Sequence, residues 1–167
     1  MSKASTLYLQ EQPPFPNSTL PVLMYEQVYT GANAPFARLF EQNGWTGLWV
    51  NGVYSFHHYH AAAHEVLGCI AGWAHLTLGG PGGTLVLIQK GDAVLLPAGI
   101  GHQLIKASPD FQVVGAYPKG QFPDLQRGDT QAYERLKAEA ALVRLPDTDP
   151  VMGAGGAVAA HWQQTTI

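Results

Sequence analysis

Residues Gly52–Gly72 read GVYSFHHYHAAAHEVLGCIAG, and this stretch holds four of the seven histidines of the 167-residue chain. His58 and His60 lie two residues apart on a predicted strand, so both imidazoles project from the same face. A turn through Ala61–Ala63 reverses the chain, and Glu65 then opens the next strand and can return a carboxylate to the same point. Two histidines and a carboxylate around one ion leave open positions for water or substrate, which suits Fe(II) and related first-row metals.

A second stretch of interest is Gly91–His102, which reads GDAVLLPAGIGH. Pro97 and Gly99 favour a tight turn, and His102 then starts a strand. His102 can therefore supply a fourth metal ligand. Among the four candidate ligands, Glu65 is also the candidate catalytic residue, because a carboxylate can leave a metal and accept a proton.

The rest of the chain favours an all-β domain. Its 19 glycines and 12 prolines punctuate short apolar runs, which is typical of strands joined by turns. The predicted strands are Val22–Tyr29, Trp49–His60, Glu65–Ala71, Trp73–Leu78, Thr84–Gln89, Ala93–Leu96, His102–Lys106 and Phe111–Tyr117. Their short and regular spacing indicates a sandwich or a barrel.

Two short helices are predicted at the periphery of this β domain. The first spans Ala34–Asn43, with Asn33 as its N-cap. The second spans Thr130–Val143 and has one apolar stripe, made of Tyr133, Leu136 and Ala140. Within the second helix, Glu134 is placed to pair with Lys137.

We expect a single domain, because no linker or internal repeat divides the chain. Residues 1–20 are rich in Pro, Gln and Ser and are interpreted as an extended N-terminal arm. Residues 45–117 form the core of the predicted β domain. Residues 146–167 show no periodicity and are interpreted as a flexible C-terminal tail.

Composition excludes several classes of partner. The formal net charge is −3, and the nine lysines and arginines are scattered, so no run of them could follow a phosphate backbone. No stretch is apolar for long enough to span a bilayer, and no signal peptide is evident. The single cysteine, Cys69, excludes an intrachain disulfide. We therefore expect a cytoplasmic protein without nucleic-acid or membrane partners.

The two stretches quoted above resemble the paired motifs of the cupin family. The first resembles cupin motif 1, which is matched without exception by Gly52, His58, His60, Glu65 and Gly72. The second resembles cupin motif 2, which is matched by Gly91, Pro97, Gly99 and His102. Lys106 stands where that family usually has asparagine. The chain is also similar to a group of uncharacterised bacterial cupins, the YjlB-like family, in the segments HHYHAAAHEVLG, VVGAYP and LPDTDP.

This resemblance implies a cupin-type antiparallel β-barrel, also described as a jelly roll or double-stranded β-helix, with a metal inside. The implied ligands are His58, His60, Glu65 and His102. Fe(II) is favoured as the metal, with Mn, Ni and Zn as alternatives. Cupins perform many reactions, so the fold alone does not select one.

Each of three further residues near the two motifs has two possible roles. Tyr54 and Phe56 share parity with His58 and are predicted either as walls of a substrate pocket or as simple barrel packing. Lys106 shares parity with His102, so it leans toward the interior or its mouth and either reaches solvent or meets a substrate carboxylate. These three residues are the candidate substrate pocket.

Three residues near the motifs are expected to lie outside the metal site. His64 precedes Glu65 and faces the other way on a regular strand, so only a bulge would bring it to the metal. His57 is expected on the outer face. Cys69 is interpreted as a small core residue rather than as a nucleophile.

The function that these observations favour is a metal-binding cupin that acts on a small molecule as an Fe(II)-type oxygenase or oxidoreductase. The alternatives are a metal-dependent isomerase of a sugar or keto acid, and a non-catalytic protein that binds a small ligand. A homodimer is also predicted, because inward-facing ligands leave an apolar outer face that needs cover. That face consists of Val53, Tyr59, Val66 and Ile70.

Overall fold

Within residues 3–163, which the computed structural model describes, the chain forms nine strands and three short helices. The strands are β1 (Ala4–Leu9), β2 (Ser18–Tyr25), β3 (Trp45–Asn51), β4 (Glu65–Ala71), β5 (Trp73–Leu78), β6 (Thr84–Gln89), β7 (Ala93–Leu96), β8 (His102–Ala107) and β9 (Gln112–Pro118). The helices are α1 (Phe36–Gln42), α2 (Tyr133–Ala141) and α3 (Ala157–His161). The predicted all-β class with short peripheral helices is confirmed.

The strands form two antiparallel sheets. The large sheet has the order β1-β2-β7-β4-β9-β3, and the small sheet has the order β6-β5-β8. One apolar cluster lies between them and combines Leu67 and Val113 of the large sheet with Leu76 and Ile88 of the small sheet. The two sheets are packed face to face and are not closed into a barrel, which corrects that detail of the prediction.

Local pattern predicts the bounds of β4, β5, β6 and β7 correctly. The predicted strand Trp49–His60 is wrong, because β3 ends at Asn51. Beyond it, the Gly52 N–H bonds to the Asn51 side chain instead of continuing the ladder. The chain then crosses to the small sheet, where it is joined by a bridge between His58 and His102.

Two strands near the N-terminus, β1 and β2, belong to the large sheet. The segment interpreted as an extended arm contains β1, which pairs with β2, and β2 pairs in turn with β7. The strand predicted at Val22–Tyr29 lies at Ser18–Tyr25, because this pairing sets its bounds. The segment interpreted as an extended N-terminal arm is thus part of the large sheet, a pairing that its composition does not indicate.

Helices α1 and α3 cover the outer face of the large sheet. Phe36 and Phe40 of α1 are fully buried against Val66, and Trp162 closes the same cluster. A Cβ at Gly68 would lie 2.4 Å from the Phe36 ring, so glycine is what allows α1 to approach β4. Pro35 occupies the N-cap of α1 and no side chain caps the helix, so the expectation for Asn33 is wrong.

Helix α2 covers a second part of the outer surface. Its predicted stripe is confirmed, since Tyr133, Leu136 and Ala140 are its buried residues. Tyr59 is fully buried in the cluster that includes Leu136 and Ala140. The predicted pair with Glu134 is not observed, because Lys137 instead lies 2.9 Å from a carboxylate oxygen of Glu11.

The outer apolar face thus receives much of its cover from the chain itself. Tyr59 and Val66 are fully buried within the protomer and Ile70 is half-buried, whereas Val53 packs against the cluster between the sheets, so its predicted place on the outer face is wrong. A second subunit is therefore not needed to cover this face, and the homodimer stays a prediction.

The segment after Pro146 is packed rather than flexible. Asp149 is buried and accepts hydrogen bonds from the Tyr25 hydroxyl (2.7 Å) and the Val158 N–H (3.1 Å). The Trp162 indole donates to the Pro21 carbonyl (2.9 Å). The tail prediction is therefore wrong for residues 146–163, and its last four residues lie outside the described range. No helix in the described range is long and apolar enough to cross a membrane.

Candidate metal centre

Two of the predicted ligands are brought together by backbone pairing between the motifs. The His58 N–H donates to the His102 carbonyl (3.1 Å), and the His102 N–H donates back to the His58 carbonyl (2.8 Å). The two side chains therefore lie side by side, with ring centroids 3.9 Å apart. His60 follows two residues later, and its ring centroid lies 5.5 Å from that of His102.

The backbone fixes the orientation of the three imidazoles. Nδ1 of His58 lies 3.0 Å from the Phe56 carbonyl, and Nδ1 of His102 lies 3.0 Å from the Ile100 carbonyl. Nδ1 of His60 is bonded to the Asp124 carbonyl. A carbonyl only accepts, so each Nδ1 carries a hydrogen, and each Nε2 faces the neighbouring side chains. Such backbone-anchored imidazoles are typical of metal ligands.

The residues fit a metal ion. His58, His60 and His102 each offer a ring nitrogen, and these atoms lie within 4.8 Å of one another. The Glu65 carboxylate lies 3.4 Å from Nε2 of both His60 and His102. Two donors that are each about 2.0–2.2 Å from one ion stand about 3–3.5 Å apart, so this spacing suits shared coordination. The donor set is three nitrogens and one carboxylate.

The charges in this cluster are set by burial and by Glu65. Burial, together with the adjacent His102, lowers the pKa of His58 to about 3 and keeps that ring neutral. Burial alone would lower the pKa of His60, but the charge of Glu65 and the hydrogen bond to it raise that pKa to about 9. Burial would raise the pKa of Glu65, yet the charge of His60 and the hydrogen bond with His102 hold it well below its usual range.

A hydrogen-bond chain that sequence analysis missed supports Glu65. The Tyr117 hydroxyl donates to Glu65 Oε2 (2.8 Å), and Trp49 Nε1 donates to the Tyr117 oxygen (2.7 Å). A Cβ at Gly115 would lie 2.1 Å from the Trp49 ring, so glycine is needed for the indole to reach Tyr117. The sequence indicates Tyr117 only as part of the segment VVGAYP, and that segment implies no role for the tyrosine.

Asp124 was also missed, and it ties the loop after β9 to the first motif. Besides its carbonyl contact with His60, its Oδ1 accepts the N–H groups of Ala61 (2.8 Å) and Ala62 (2.9 Å). Gln126 donates to its other oxygen (2.9 Å). The loop thereby fixes the His60 ring. Nothing in the local pattern indicates this contact, because 64 residues separate the two partners.

The candidate ligands lie on a cavity of about 540 Å³. Its apolar wall consists of Trp49, Val50, Val53, Tyr54, Leu67, Pro123 and Leu125. His58, His60, Glu65, His102 and Tyr117 supply the polar end of the same cavity. This volume lies within the range of pockets that bind small molecules.

Of the three candidate pocket residues, only one lines the cavity. Tyr54 lines the cavity, whereas Phe56 stacks on Tyr54 (4.7 Å between centroids) without lining it. Lys106 is exposed and lies opposite His75 on the outer face of the small sheet. The expectation that it leans inward is wrong, because an irregularity at Ile105 shifts the register after Leu104 and reverses the parity.

The three residues that were left outside the site do lie outside it. His64 is buried, and its Nδ1 accepts the Ala98 N–H (2.9 Å) while its ring packs on Trp162. His57 packs against Phe15. Cys69 is fully buried in the core between the sheets, and burial raises the pKa of its thiol to about 11. This agrees with its interpretation as a core residue.

Among solved structures, the chain resembles a salicylate 1,2-dioxygenase from Pseudaminobacter salicylatoxidans, with 13% identity, a TM-score of 0.33, and coverage of 61% of this chain and 21% of that one. It also resembles an acireductone dioxygenase from Bacillus anthracis with a cadmium ion in its active centre, at 19% identity, TM-score 0.36 and coverage of 53% and 61%. RmlC from Streptococcus suis in complex with dTDP-D-xylose gives 12% identity, TM-score 0.37 and coverage of 70% and 69%. These TM-scores lie below 0.5, so the fold assignment rests on the two sheets and the meeting of the two motifs in this chain.

No protein-family model matches the chain. It is 32% identical over 152 residues to the uncharacterized protein YjlB of Bacillus subtilis (strain 168), and the match covers 90% of this chain and 92% of that protein. Given this match, the two antiparallel sheets and the motifs that meet between them, the chain has a cupin-type fold and belongs to the YjlB family.

Proposed function

We propose that this chain is a metal-dependent enzyme that acts on a small molecule as a mononuclear Fe(II)-type oxygenase or oxidoreductase. One observation carries the proposal: three backbone-anchored imidazoles and the Glu65 carboxylate converge on the polar end of a cavity of about 540 Å³. A set of three nitrogens and one oxygen suits Fe(II), with Mn, Ni and Zn as alternatives. Fe(II) held by these residues would supply open coordination positions for a substrate and for dioxygen.

The residues of the chain provide positioning, proton handling and an apolar lining. Glu65 is the group that would hold or move a proton at its carboxylate oxygens. The Tyr117 hydroxyl orients one of those oxygens, and Trp49 orients the hydroxyl in turn. Leu67, Pro123 and Leu125 give the same cavity an apolar lining.

The test begins with protein purified without oxygen and loaded with Fe(II). Oxygen consumption is then measured across a panel of small molecules, with the His58→Ala variant loaded in the same way as the control. We expect uptake that depends on both substrate and iron and that is absent in the variant. Stoichiometric iron without substrate-dependent uptake across the panel would count against an oxygenase.

The chain of hydrogen bonds from Trp49 through Tyr117 to Glu65 favours a second candidate, a metal-dependent isomerase. Such a chain suits a carboxylate that accepts a proton from carbon and returns it. Lysine and arginine are absent among the described residues that line the cavity, so a sugar phosphate fits poorly. An uncharged sugar or a keto acid is the form to test, by incorporation of solvent deuterium without oxygen uptake. A ligand that raises the melting temperature without either reaction would indicate a binding protein.

A further inference from the structure

We infer that the substrate of this cavity has a single metal-chelating end and an uncharged, apolar body. The inference rests on the proposed metal site and adds the substrate class. It is carried by the distribution of charge and apolar surface around the cavity.

The charged side chains that line the cavity are either carboxylates or candidate metal ligands. Its two carboxylates are those of Glu65 and Asp124, and within residues 3–163 its lining includes neither lysine nor arginine. Arg127 lies over the Phe56 ring, 3.7 Å from its centroid, and neither residue lines the cavity. Lys106 is on the outer face of the small sheet. A ligand group with a negative charge would therefore find no cationic side chain here.

The metal site itself can accept one negative donor. A divalent ion with three neutral imidazoles and one carboxylate carries a net charge of +1, which one anionic chelating group neutralises. A second anion on the ligand would be desolvated beside Asp124 without a partner, which is costly. The Asp124 carboxylate is already satisfied by the N–H groups of Ala61 and Ala62 and by Gln126.

The space beyond the chelating end is mostly apolar, and among the described residues its one neutral amide side chain, Asn51, already accepts the Gly52 N–H through Oδ1. Trp49, Val53 and Leu67 form its inner wall, and Val50, Tyr54 and Leu125 lie nearer the opening, each about half exposed. Burial of an apolar ligand body against these side chains is favourable in proportion to the area removed from water. The planar surfaces of Trp49 and Tyr54 suit a ring.

The experiment uses a matched series of hydroxamates and protein loaded with zinc, so that no reaction occurs. Acetohydroxamate and benzohydroxamate share one chelating group and differ in the apolar body. The 4-carbamoyl and 4-carboxy derivatives of benzohydroxamate have nearly the same shape and differ in charge. Dissociation constants are measured by calorimetry.

We expect benzohydroxamate to bind about 30-fold more tightly than acetohydroxamate, because its ring is buried. We expect the 4-carboxy compound to bind about 10-fold more weakly than the 4-carbamoyl compound, because its charge has no partner. Affinities of the first pair within threefold of each other, or a carboxylate that binds as well as the carboxamide, would overturn the inference.

A positive charge introduced at the opening of the cavity tests the same inference, because it supplies the partner that an anionic ligand group lacks. Leu125→Arg is expected to improve binding of the 4-carboxy compound about fivefold relative to that of the 4-carbamoyl compound, whose own affinity falls because the variant removes apolar surface from the cavity. Val50→Arg on β3 is a second variant with the same expectation. Leu142→Arg is the control, because Leu142 is 83% exposed and does not line the cavity. An equal gain in this control would contradict the cavity assignment.

The outcomes separate this inference from the proposed function. If the protein binds no zinc, or binds it and takes up no hydroxamate, the open metal site fails and both proposals fall. If acetohydroxamate binds and the phenyl ring adds nothing, the metal site stands and only the substrate class is wrong.

Discussion

The hydroxyl of Tyr117 donates a 2.8 Å hydrogen bond to Oε2 of Glu65, although 52 residues separate the two. Tyr117 lies near the end of β9, and Glu65 is the first residue of β4, which pairs with β9. The bond aims the carboxylate at the three imidazoles. Tyr117 is thus a positioning residue for the candidate metal centre.

Tyr117→Phe removes that donor and keeps the ring. We expect the zinc affinity to fall about 10-fold, because groups that orient a metal ligand typically matter on this scale. The measurement is competition with a chromophoric chelator. Tyr8→Phe is the matched control, since Tyr8 is 66% exposed on β1. Equal zinc affinities in the Tyr117→Phe variant and the parent protein would show that Tyr117 does not position Glu65 for metal binding.

His58→Ala is expected to abolish stoichiometric metal content while the fold persists, because the apolar core between the sheets does not depend on the ion. Metal content is measured by elemental analysis and the fold by circular dichroism. His75→Ala is the control, because His75 lies on β5 outside the cavity. Full occupancy in the His58→Ala variant would show that the ligand assignment is wrong.

Metal binding is expected to release a proton from His60. Its pKa of about 9 in the metal-free protein means that the ring is mostly protonated at pH 7.5, whereas a ligand must be unprotonated. Zinc affinity should therefore rise about tenfold per pH unit from 7 toward 9 and then level off. His58, with its pKa of about 3, adds nothing in this window. Calorimetry in buffers of different ionisation enthalpy counts the proton, and a flat pH profile would contradict the His60–Glu65 pair.

The thiol of Cys69 is expected to be inert in the folded protein. At pH 8 a pKa of about 11 leaves a thiolate fraction roughly 100-fold lower than the ordinary value of 9 allows, and burial slows the reaction further. Between pH 9 and 11 the unfolded chain loses this proton while the folded chain keeps it, so stability falls as pH rises. Reaction with a disulfide reagent, with and without urea, measures the difference. Rapid labelling of the native protein would place Cys69 at the surface.

Much of the fold is predictable from local pattern. The bounds of β4–β7 follow from apolar runs between glycine turns, and the buried stripe of α2 follows from its helical period. The candidate ligands are also predictable. His58 and His60 lie two residues apart and project to the same side, and Glu65 and His102 begin strands that face them. These features depend on residues that are close in sequence.

Only the tertiary structure decides what depends on distant pairing. β1 forms a strand because β2 offers it an edge, and pairing with β1 and β7 sets the bounds of β2. Tyr117 and Asp124 enter the site because β9 and the loop after it return to the first motif. Lys106 faces outward because an irregularity in β8 reverses its parity, a shift that alternation in a single sequence does not reveal. Local periodicity sets which face of an element is apolar, whereas register, bulges and loop closure set which side chains meet.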